Sequence, residues 1–244
     1  MCPTRPAGIG AARGCAGGPL KDTHSLWNAG IVLAGGRSRR LGVDKAALRL
    51  GDETLLARAV RRLAAVCRPV IVVAASAPAA RALLASVATP RESQVAVVAD
   101  RWPEAGPLGG LATGLRFLEG APGEPAGGEA ALAAVVAVDM PFVAPAVLAR
   151  LIAIARAGGQ DAVVPVVGGR AQPLCAVYAA RVASVAEDLL SGPRRAMHAL
   201  LDALGSRVAY VSEEVLRADD PELHSFFNIN TPDDLVRARE IAAE

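Results

Sequence analysis

The sequence predicts an α/β fold, a single Rossmann-like domain in which helices cover both faces of a mostly parallel sheet. Four short apolar runs without polar alternation are typical of strands buried on both faces. They lie at residues 30–34, 70–75, 95–99 and 133–138. Longer segments with apolar residues at helical spacing separate them, at residues 53–67, 78–88 and 108–119. Strands that alternate with helices predict crossover connections and parallel pairing.

Two other stretches are predicted from their local chemistry. Within residues 160–178, the runs DAVVPVV and AQPLCAVY are separated by GGR, which favours a small antiparallel hairpin inserted in the main architecture. Near the carboxyl terminus, Thr231 precedes Pro232 and two acids. A hydroxyl cap, a proline at the first helical position and acids in the first turn predict the start of a helix.

The chain of 244 residues suits one domain, which we expect to span residues 28–244. Residues 1–27 are rich in Gly, Pro and Arg and lack the apolar core of a secretion signal, so we expect a disordered extension. The segment 120–129, GAPGEPAGGE, predicts a flexible surface loop.

The overall composition excludes several classes of function. A formal net charge of +2 gives no long-range field to attract nucleic acid or an anionic membrane. Four scattered cysteines without a CxxC pair make zinc and redox motifs poor hypotheses. No run reaches the roughly 18 apolar residues of a membrane span. We therefore expect a soluble, cytoplasmic protein that binds neither nucleic acid nor membrane.

The loop after the first strand, in IVLAGGRSRRLGVDK, has the chemistry of an anion site. Gly35 and Gly36 allow the backbone to approach a ligand, and successive amides there can cradle phosphate oxygens. Ser38 adds a neutral donor, while Arg40 and Lys45 add charge that can neutralise a polyphosphate. The alternative is an ordinary turn with solvated cations. The spacing matches neither GxGxxG nor GxxxxGK[ST], which disfavours NAD and P-loop chemistry.

Acids follow two other predicted strands. Asp139 comes directly after nine apolar residues, where a carboxylate needs a compensating cation or donor. Mg²⁺ held by one or two carboxylates and substrate phosphates would satisfy it, and a helix cap before Pro141 is the alternative. Asp100 has three possible roles: accepting from a ribose hydroxyl, helping to hold the metal, or starting a turn. Ligands of parallel sheets collect at the carboxyl ends of strands, where these acids lie.

The chain resembles the molybdenum cofactor guanylyltransferases and their nucleotidyltransferase relatives. The segment LAGGRSRRLGVDK follows the family signature LAGGxSxRMGxDK, with Leu41 in place of Met. Further matching blocks occur in family order and extend the resemblance from residue 30 to residue 240. They are DRWPEAGPLGGL at 100–111, VDMPF at 138–142, QPL at 172–174 and NINTPDDL at 228–235.

The resemblance implies a role for each matching position. The nucleotide would be bound by Leu33, Ala34, Gly35, Gly36, Ser38, Arg40, Lys45, Asp100, Gly106, Pro107, Leu108 and Asp139. Of these, Arg40, Lys45 and Asp139 would be catalytic, Asp100 would lie on the nucleoside side, and Asp139 would bind Mg²⁺. The pterin-type acceptor would be bound by Gln172, Asn228 and Asn230, although an NxN before a helix cap is also common turn chemistry.

The implied reaction is nucleotidyl transfer. A terminal phosphate on molybdopterin would attack the α-phosphorus of an NTP, with GTP favoured, and pyrophosphate would leave. Some relatives carry an Asn near the guanine after the second strand, where this chain has Ala75 and Ser76. A CTP-dependent enzyme, or one acting on another small phosphate, is therefore an open alternative. A non-catalytic nucleotide-binding module is a second, and proteins that deliver the cofactor are plausible partners.

Overall fold

The computed structural model describes residues 28–35, 44–85, 95–120 and 131–243. The expected disordered extension at 1–27 and nearly all of the predicted surface loop at 120–129 lie outside these ranges. The strands are β1 Asn28–Leu33, β2 Arg49–Leu50, β3 Glu53–Thr54, β4 Val70–Ala74, β5 Val95–Ala99, β6 Leu132–Ala137, β7 Ala162–Val167, β8 Arg170–Ala171, β9 Cys175–Ala179 and β10 Val208–Ser212. The α-helices are α1 Leu55–Ala64, α2 Ala77–Ala85, α3 Pro107–Glu119, α4 Pro145–Gly158, α5 Val182–Leu190, α6 Met197–Leu204, α7 Glu213–Leu216 and α8 Pro232–Ile241. Short 3-10 turns occur at Lys45–Ala47, Gly205–Arg207 and His224–Phe226.

One sheet organises the described part of the chain, in the strand order β10-β7-β9-β6-β1-β4-β5, with β8 paired to β7. Strands β6, β1, β4 and β5 are parallel neighbours. The chain proceeds from β1 to β4 and β5 on one side, then crosses to place β6 on the other side of β1. The strand order therefore reverses at β1, and the carboxyl end of β1 is where this class of sheet opens a ligand crevice.

Helices pack on both faces of the sheet, as the apolar runs predicted. A Cβ placed on Gly30 would lie 3.2 Å from Leu63 of α1, whereas the next residue of β1, Ile31, packs against Gly114 of α3. Successive strand residues point to opposite faces, so α1 and α3 lie on opposite sides of β1. Strands β1, β4 and β6 are almost entirely buried between these layers. The predicted α/β class is confirmed.

The predicted antiparallel element is present and is part of the main sheet. Strands β7 and β8 form a tight hairpin around Gly168 and Gly169, both of which have positive φ, 55° and 72°. Strand β9 then runs antiparallel to both β6 and β7. It fills the space between two strands that point the other way. The hairpin thus widens the sheet instead of forming a separate layer.

The first predicted helix starts later than its apolar pattern suggested. Glu53 and Thr54 pair with Arg49 and Leu50 in a second, two-stranded sheet. Thr54 then caps α1, because its hydroxyl accepts from the N–H of Ala57 at 3.1 Å. A two-residue strand is too short to show a periodicity, so Glu53 and Thr54 were predicted as the start of the helix at 53–67. Among the described residues, no helix has the length and apolar character needed to cross a membrane.

The predicted start of the last helix is also confirmed. Thr231 caps α8, and Asp234 completes a capping box by accepting from the N–H of Thr231 at 2.8 Å. Asp234 also accepts from the N–H of Asn230 at 2.9 Å. These hydrogen bonds, led by the one from Asn230, lower the pKa of Asp234 below its ordinary value.

The close approach of α3 to β1 depends on Gly114. A Cβ at this position would lie 2.9 Å from Cγ2 of Ile31, too close for a real contact. We expect Gly114→Ala to lower the free energy of unfolding by about 1–3 kcal/mol, since overpacking outweighs the better helix propensity of alanine. Urea unfolding measures the change. Gly120→Ala is the control, because its Cβ would meet only backbone oxygens at 3.8 Å or more. Equal effects of the two substitutions would contradict this packing constraint.

The capping box of α8 predicts a pH-dependent contribution to stability. Because the folded pKa of Asp234 is depressed, its contribution is present above the unfolded value of about 3.9 and is lost as the pH falls through the folded value. We expect Asp234→Ala to cost about 0.5–1 kcal/mol at pH 7 and progressively less below about pH 4. Urea unfolding of the variant and the parent across this range measures it. Asp233→Ala, in the same turn but outside the box, should show a smaller effect; a cost that stays constant down to pH 2 would exclude the box as its source.

Candidate active site

The candidate site lies at the carboxyl ends of β1 and β6. The N–H of Val138 donates to the carbonyl of Leu33 at 3.1 Å, which extends the pairing of these strands to their last residues. Gly35 and Asp139 follow immediately on the two adjacent strands. The glycine turn and the acid are therefore brought to the same edge of the sheet, at its topological switch point, as the sequence predicted.

Lys45 lies at the centre of this edge. It begins a 3-10 turn that Asp44 caps, with the Asp44 carboxylate accepting from the N–H of Ala46 at 3.0 Å. Lys45 Nζ donates to Asp139 Oδ2 at 2.7 Å and to Asn230 Oδ1 at 2.8 Å. The Lys45 and Asp139 side chains are only 15% and 19% exposed. Partial burial strengthens the ion pair relative to a fully solvated one.

Asp139 is only half satisfied by its neighbours. Its Oδ2 accepts from Lys45, whereas its Oδ1 is buried and has no hydrogen-bond partner among the residues that the structure describes. A buried carboxylate oxygen left unpaired costs free energy unless something else binds it. The alternative reading as a helix cap is wrong, because α4 begins at Pro145 and is preceded by Ala144. Within the described part of the chain, nothing compensates this oxygen.

The segment before α8 reaches back to this edge. The N–H of Ile229 donates to the Asp139 carbonyl at 2.9 Å, and Asn230 bonds Lys45 through its side chain. Asp234 fixes the Asn230 backbone by accepting from its N–H. Asn230 therefore lies at the Lys45–Asp139 pair. The sequence analysis had assigned Asn230 to the acceptor and had not placed it beside Lys45.

Asp100 directly follows β5, on the side of β1 away from Asp139, and its N–H donates to the carbonyl of Ala74 at the end of β4 at 2.9 Å. Its Oδ1 accepts from the N–H of Trp102 at 2.9 Å and from the Thr113 hydroxyl at 3.0 Å. Its Oδ2 accepts no hydrogen bond from a described residue, and Cβ atoms placed on Gly35 and on Gly110 would each lie 3.8 Å from it. This oxygen therefore lies beside two glycines, one of them directly after β1.

The GPLGG turn forms the start of α3 beside Asp100. Gly106 has φ 67° and precedes Pro107 at the first helical position, while Leu108 is buried. A Cβ on Gly109 would lie 2.5 Å from the carbonyl oxygen of Trp102. A glycine is needed here because α3 packs directly on the Asp100 turn.

The other predicted site residues either make no hydrogen bond to the Lys45–Asp139 pair or fall outside the described residues. Gln172 belongs to the β8 turn, where its side chain donates to the Arg170 carbonyl at 3.3 Å. The Asn228 side chain donates to the Phe226 carbonyl at 2.9 Å, so its observed bond is turn chemistry. Neither makes a hydrogen bond to the Lys45–Asp139 pair. Gly36, Ser38 and Arg40 fall outside the described residues.

One residue of this edge, Thr113, was missed by sequence reasoning, whereas Ser76 had been named after the second strand. Thr113 is fully buried in α3, where its hydroxyl contacts Asp100. The only signal was a hydroxyl on the apolar face of a predicted helix. Ser76 follows β4 and is occupied locally, since its hydroxyl accepts from the N–H of Ala79 at 3.4 Å at the start of α2.

Comparison with known proteins gives the family. The model of the MobA-like NTP transferase domain matches residues 30–208. A probable molybdenum cofactor guanylyltransferase of Pelotomaculum thermopropionicum is 36% identical over 215 residues, which cover 87% of this chain and 92% of that protein. The molybdenum cofactor guanylyltransferase of Desulfosudis oleivorans is 36% identical over 214 residues, covering 86% and 93%.

Solved structures agree with this relationship. The molybdopterin-guanine dinucleotide biosynthesis protein A of Archaeoglobus fulgidus superposes with a TM-score of 0.72 at 31% identity, covering 88% of this chain and 98% of that one. A 4-diphosphocytidyl-2C-methyl-D-erythritol synthase of Anaerococcus prevotii, at 13% identity and a TM-score of 0.63, shares the fold alone. The family match and these relatives show that the chain belongs to the MobA-like NTP transferase family and is a nucleotidyltransferase related to the molybdenum cofactor guanylyltransferases.

Proposed function

We propose that this protein transfers GMP from GTP to the terminal phosphate of molybdopterin or molybdenum cofactor and releases pyrophosphate. The observation that carries the proposal is the Lys45–Asp139 pair at the switch point, with Asp139 Oδ1 buried and without a hydrogen-bond partner among the described residues. It places a cation beside a carboxylate at the carboxyl edge of the sheet. The two named relatives, guanylyltransferases for molybdenum cofactor, support both substrates.

The reaction suits the side chains at this edge. The attacking group is a phosphate monoester, largely ionised at neutral pH, so it requires no strong general base. Phosphoryl-type transfer depends on positioning and charge stabilisation more than on covalent help. A lysine, an aspartate and asparagines supply these functions. None of the three histidines of the chain lies in the motifs proposed to bind the nucleotide.

The donors around Asp139 fit Mg²⁺. The described residues contain no cluster of three metal-binding side chains, so a cation would be held by one carboxylate together with substrate phosphates. Asp139 Oδ1 is the oxygen for it, because Lys45 already occupies Oδ2. When bound, Mg²⁺ would supply positive charge to the phosphate oxygens. The same site therefore combines a fixed ammonium with a carboxylate able to hold a divalent ion.

The remaining roles are proposed from the family resemblance, and Gly36, Ser38 and Arg40 among them lie outside the described residues. Lys45 is held beside Asp139 and stabilises the charge that develops on the leaving pyrophosphate, with Arg40 as the second cation. Asp100, across β1, accepts from the nucleoside. The backbone and donors that enclose the nucleotide are Leu33, Ala34, Gly35, Gly36, Ser38, Gly106, Pro107 and Leu108. The nucleotide would thus lie across the end of β1, with its phosphates toward Asp139.

The acceptor is proposed to enter from the side of α8 and β8, where Asn228, Asn230 and Gln172 lie. Asn230 already bonds Lys45, so it stands at the junction of the two substrates. This is where the attacking phosphate must meet the α-phosphate. Proteins that deliver the cofactor in the cytoplasm are the partners that fit such a substrate.

The competing functions differ in testable ways. The CTP alternative has one specific observation in its favour: the end of β4 offers Ala75 and Ser76, and Ser76 already caps α2. A binding module without turnover would be expected to have lost Lys45 or Asp139, yet both are present.

A nucleotide panel tests the proposed reaction. We expect pyrophosphate release with molybdopterin and GTP to exceed that with CTP, ATP or UTP by at least about 100-fold in kcat/KM, because a site that hydrogen-bonds one base leaves its polar groups unpaired with another. The measurement is coupled pyrophosphate release over all nucleotide and acceptor pairs. A preference for CTP would assign the cytidylyl alternative. Tight, metal-indifferent binding without turnover on any acceptor would instead assign the binding module.

Removal of the Asp139 carboxylate tests the metal assignment. We expect Asp139→Ala to lower the rate of Mg²⁺-dependent pyrophosphate release by at least about 1,000-fold, since the cation loses its protein ligand and Lys45 its partner. Circular dichroism should show an unchanged fold. Asp202→Asn, at an exposed carboxylate of α6, is the matched control and should retain full activity. Wild-type activity in Asp139→Ala would remove Asp139 from the mechanism.

A further inference from the structure

The Asp100 carboxylate is held from one side only. Its Oδ1 accepts from two donors, the N–H of Trp102 and the hydroxyl of Thr113, while Oδ2 accepts no hydrogen bond from a described residue and lies near Gly35 and Gly110. Both described donors act on Oδ1. The two donors therefore determine where the free oxygen points.

The Thr113 hydroxyl can donate its proton to either of two acceptors. Its oxygen accepts from the N–H of Arg101 at 3.1 Å. Its single proton has two acceptors within reach, Asp100 Oδ1 at 3.0 Å and the carbonyl of Gly109 at 2.9 Å. A charged acceptor makes the stronger bond, which favours donation to Asp100. The side chain is 1% exposed, so water cannot replace it.

The free oxygen of Asp100 selects a particular chemistry. An ionised carboxylate only accepts hydrogen bonds, and it repels a phosphate. A guanine nucleotide offers two kinds of donor to such an oxygen, the ribose hydroxyls and the N–H groups of the base, and deoxy analogues of GTP distinguish them. A Cβ at position 35 or 110 would contact this oxygen at 3.8 Å, and because both positions are glycines neither places a side chain there.

We propose that Thr113 is a positioning residue for nucleotide binding, which orients Asp100 so that Oδ2 meets a ribose hydroxyl. Thr113 does not touch the nucleotide; it acts through the Asp100 carboxylate. This inference rests on the proposed nucleotidyl transfer and adds to it the source of discrimination between ribonucleotides and deoxyribonucleotides.

The test compares Thr113→Val, which keeps the shape without the hydroxyl, with Thr113→Ser, which keeps the hydroxyl. Calorimetry on the full chain with Mg²⁺ gives the Kd for GTP, 2′-deoxy-GTP and 3′-deoxy-GTP. We expect Thr113→Val to raise the Kd for GTP about tenfold, the loss of one charge-assisted hydrogen bond. The Kd for the analogue that lacks the contacted hydroxyl should not change. Thr113→Ser should bind within about twofold of the parent.

A double substitution shows whether Thr113 acts through Asp100. In an Asp100→Ala background, adding Thr113→Val should leave the Kd for GTP unchanged, because the group that Thr113 orients is gone. Thr54→Val is the control: it removes another buried hydroxyl, at the cap of α1, and should lower the Tm without altering any Kd. If Thr113→Val does not fold, Thr113→Ala takes its place in both comparisons.

The outcomes separate the two proposals. Equal losses of affinity for GTP and both deoxy analogues, or additive effects with Asp100→Ala, would make Thr113 merely structural and overturn the inference. Wild-type affinity in Thr113→Val would overturn it as well. If the parent protein binds no nucleoside triphosphate, the proposed function itself fails, and the inference fails with it.

Discussion

The ion pair between Lys45 and Asp139 is the interaction on which the site depends. Strand β6 is buried along its whole length, so the Asp139 carboxylate that follows it lies at the border of the core. Removing such a charge from water is costly unless a cation and hydrogen bonds compensate. Lys45 provides the cation and Asn230 holds it in place. Among the described residues the compensation is incomplete, since one carboxylate oxygen has no hydrogen-bond partner. In the proposed function this oxygen would bind a cation.

Glycines determine how closely the second wall of the crevice approaches. Helix α3 lies against the Asp100 turn at Gly109 and against β1 at Gly114, and neither contact leaves space for a methyl group. The helix can therefore bring Thr113 to the Asp100 carboxylate. The sheet supplies a rigid edge, and α3 sets the orientation of the group on it. Lys45 and Asp100 lie on opposite sides of the β1 end, and in the proposed function this separation would keep the phosphates apart from the nucleoside.

Features of the fold that depend on local sequence patterns were predictable. Apolar runs gave β1, β4, β5 and β6 nearly to the residue, and a hydroxyl, a proline and two acids gave the start of α8. The convergence of Gly35, Lys45 and Asp139 was predictable because parallel strands end at one edge. Contacts such as Thr113 to Asp100 and Asn230 to Lys45 were not, since they depend on how distant elements pack. The strand β3 was missed because two residues carry no periodicity.

The contact from Asn230 to Lys45 joins residues 185 positions apart. The family model ends at residue 208, so the partner of this lysine comes from beyond the matched region. During synthesis, the parallel strands and Lys45 leave the ribosome long before the segment that completes their surroundings. The nascent chain can thus form its parallel strands before Asn230 is available to accept from the Lys45 ammonium. The hydrogen bond between Asn230 and Lys45 forms only when the segment before the last helix docks.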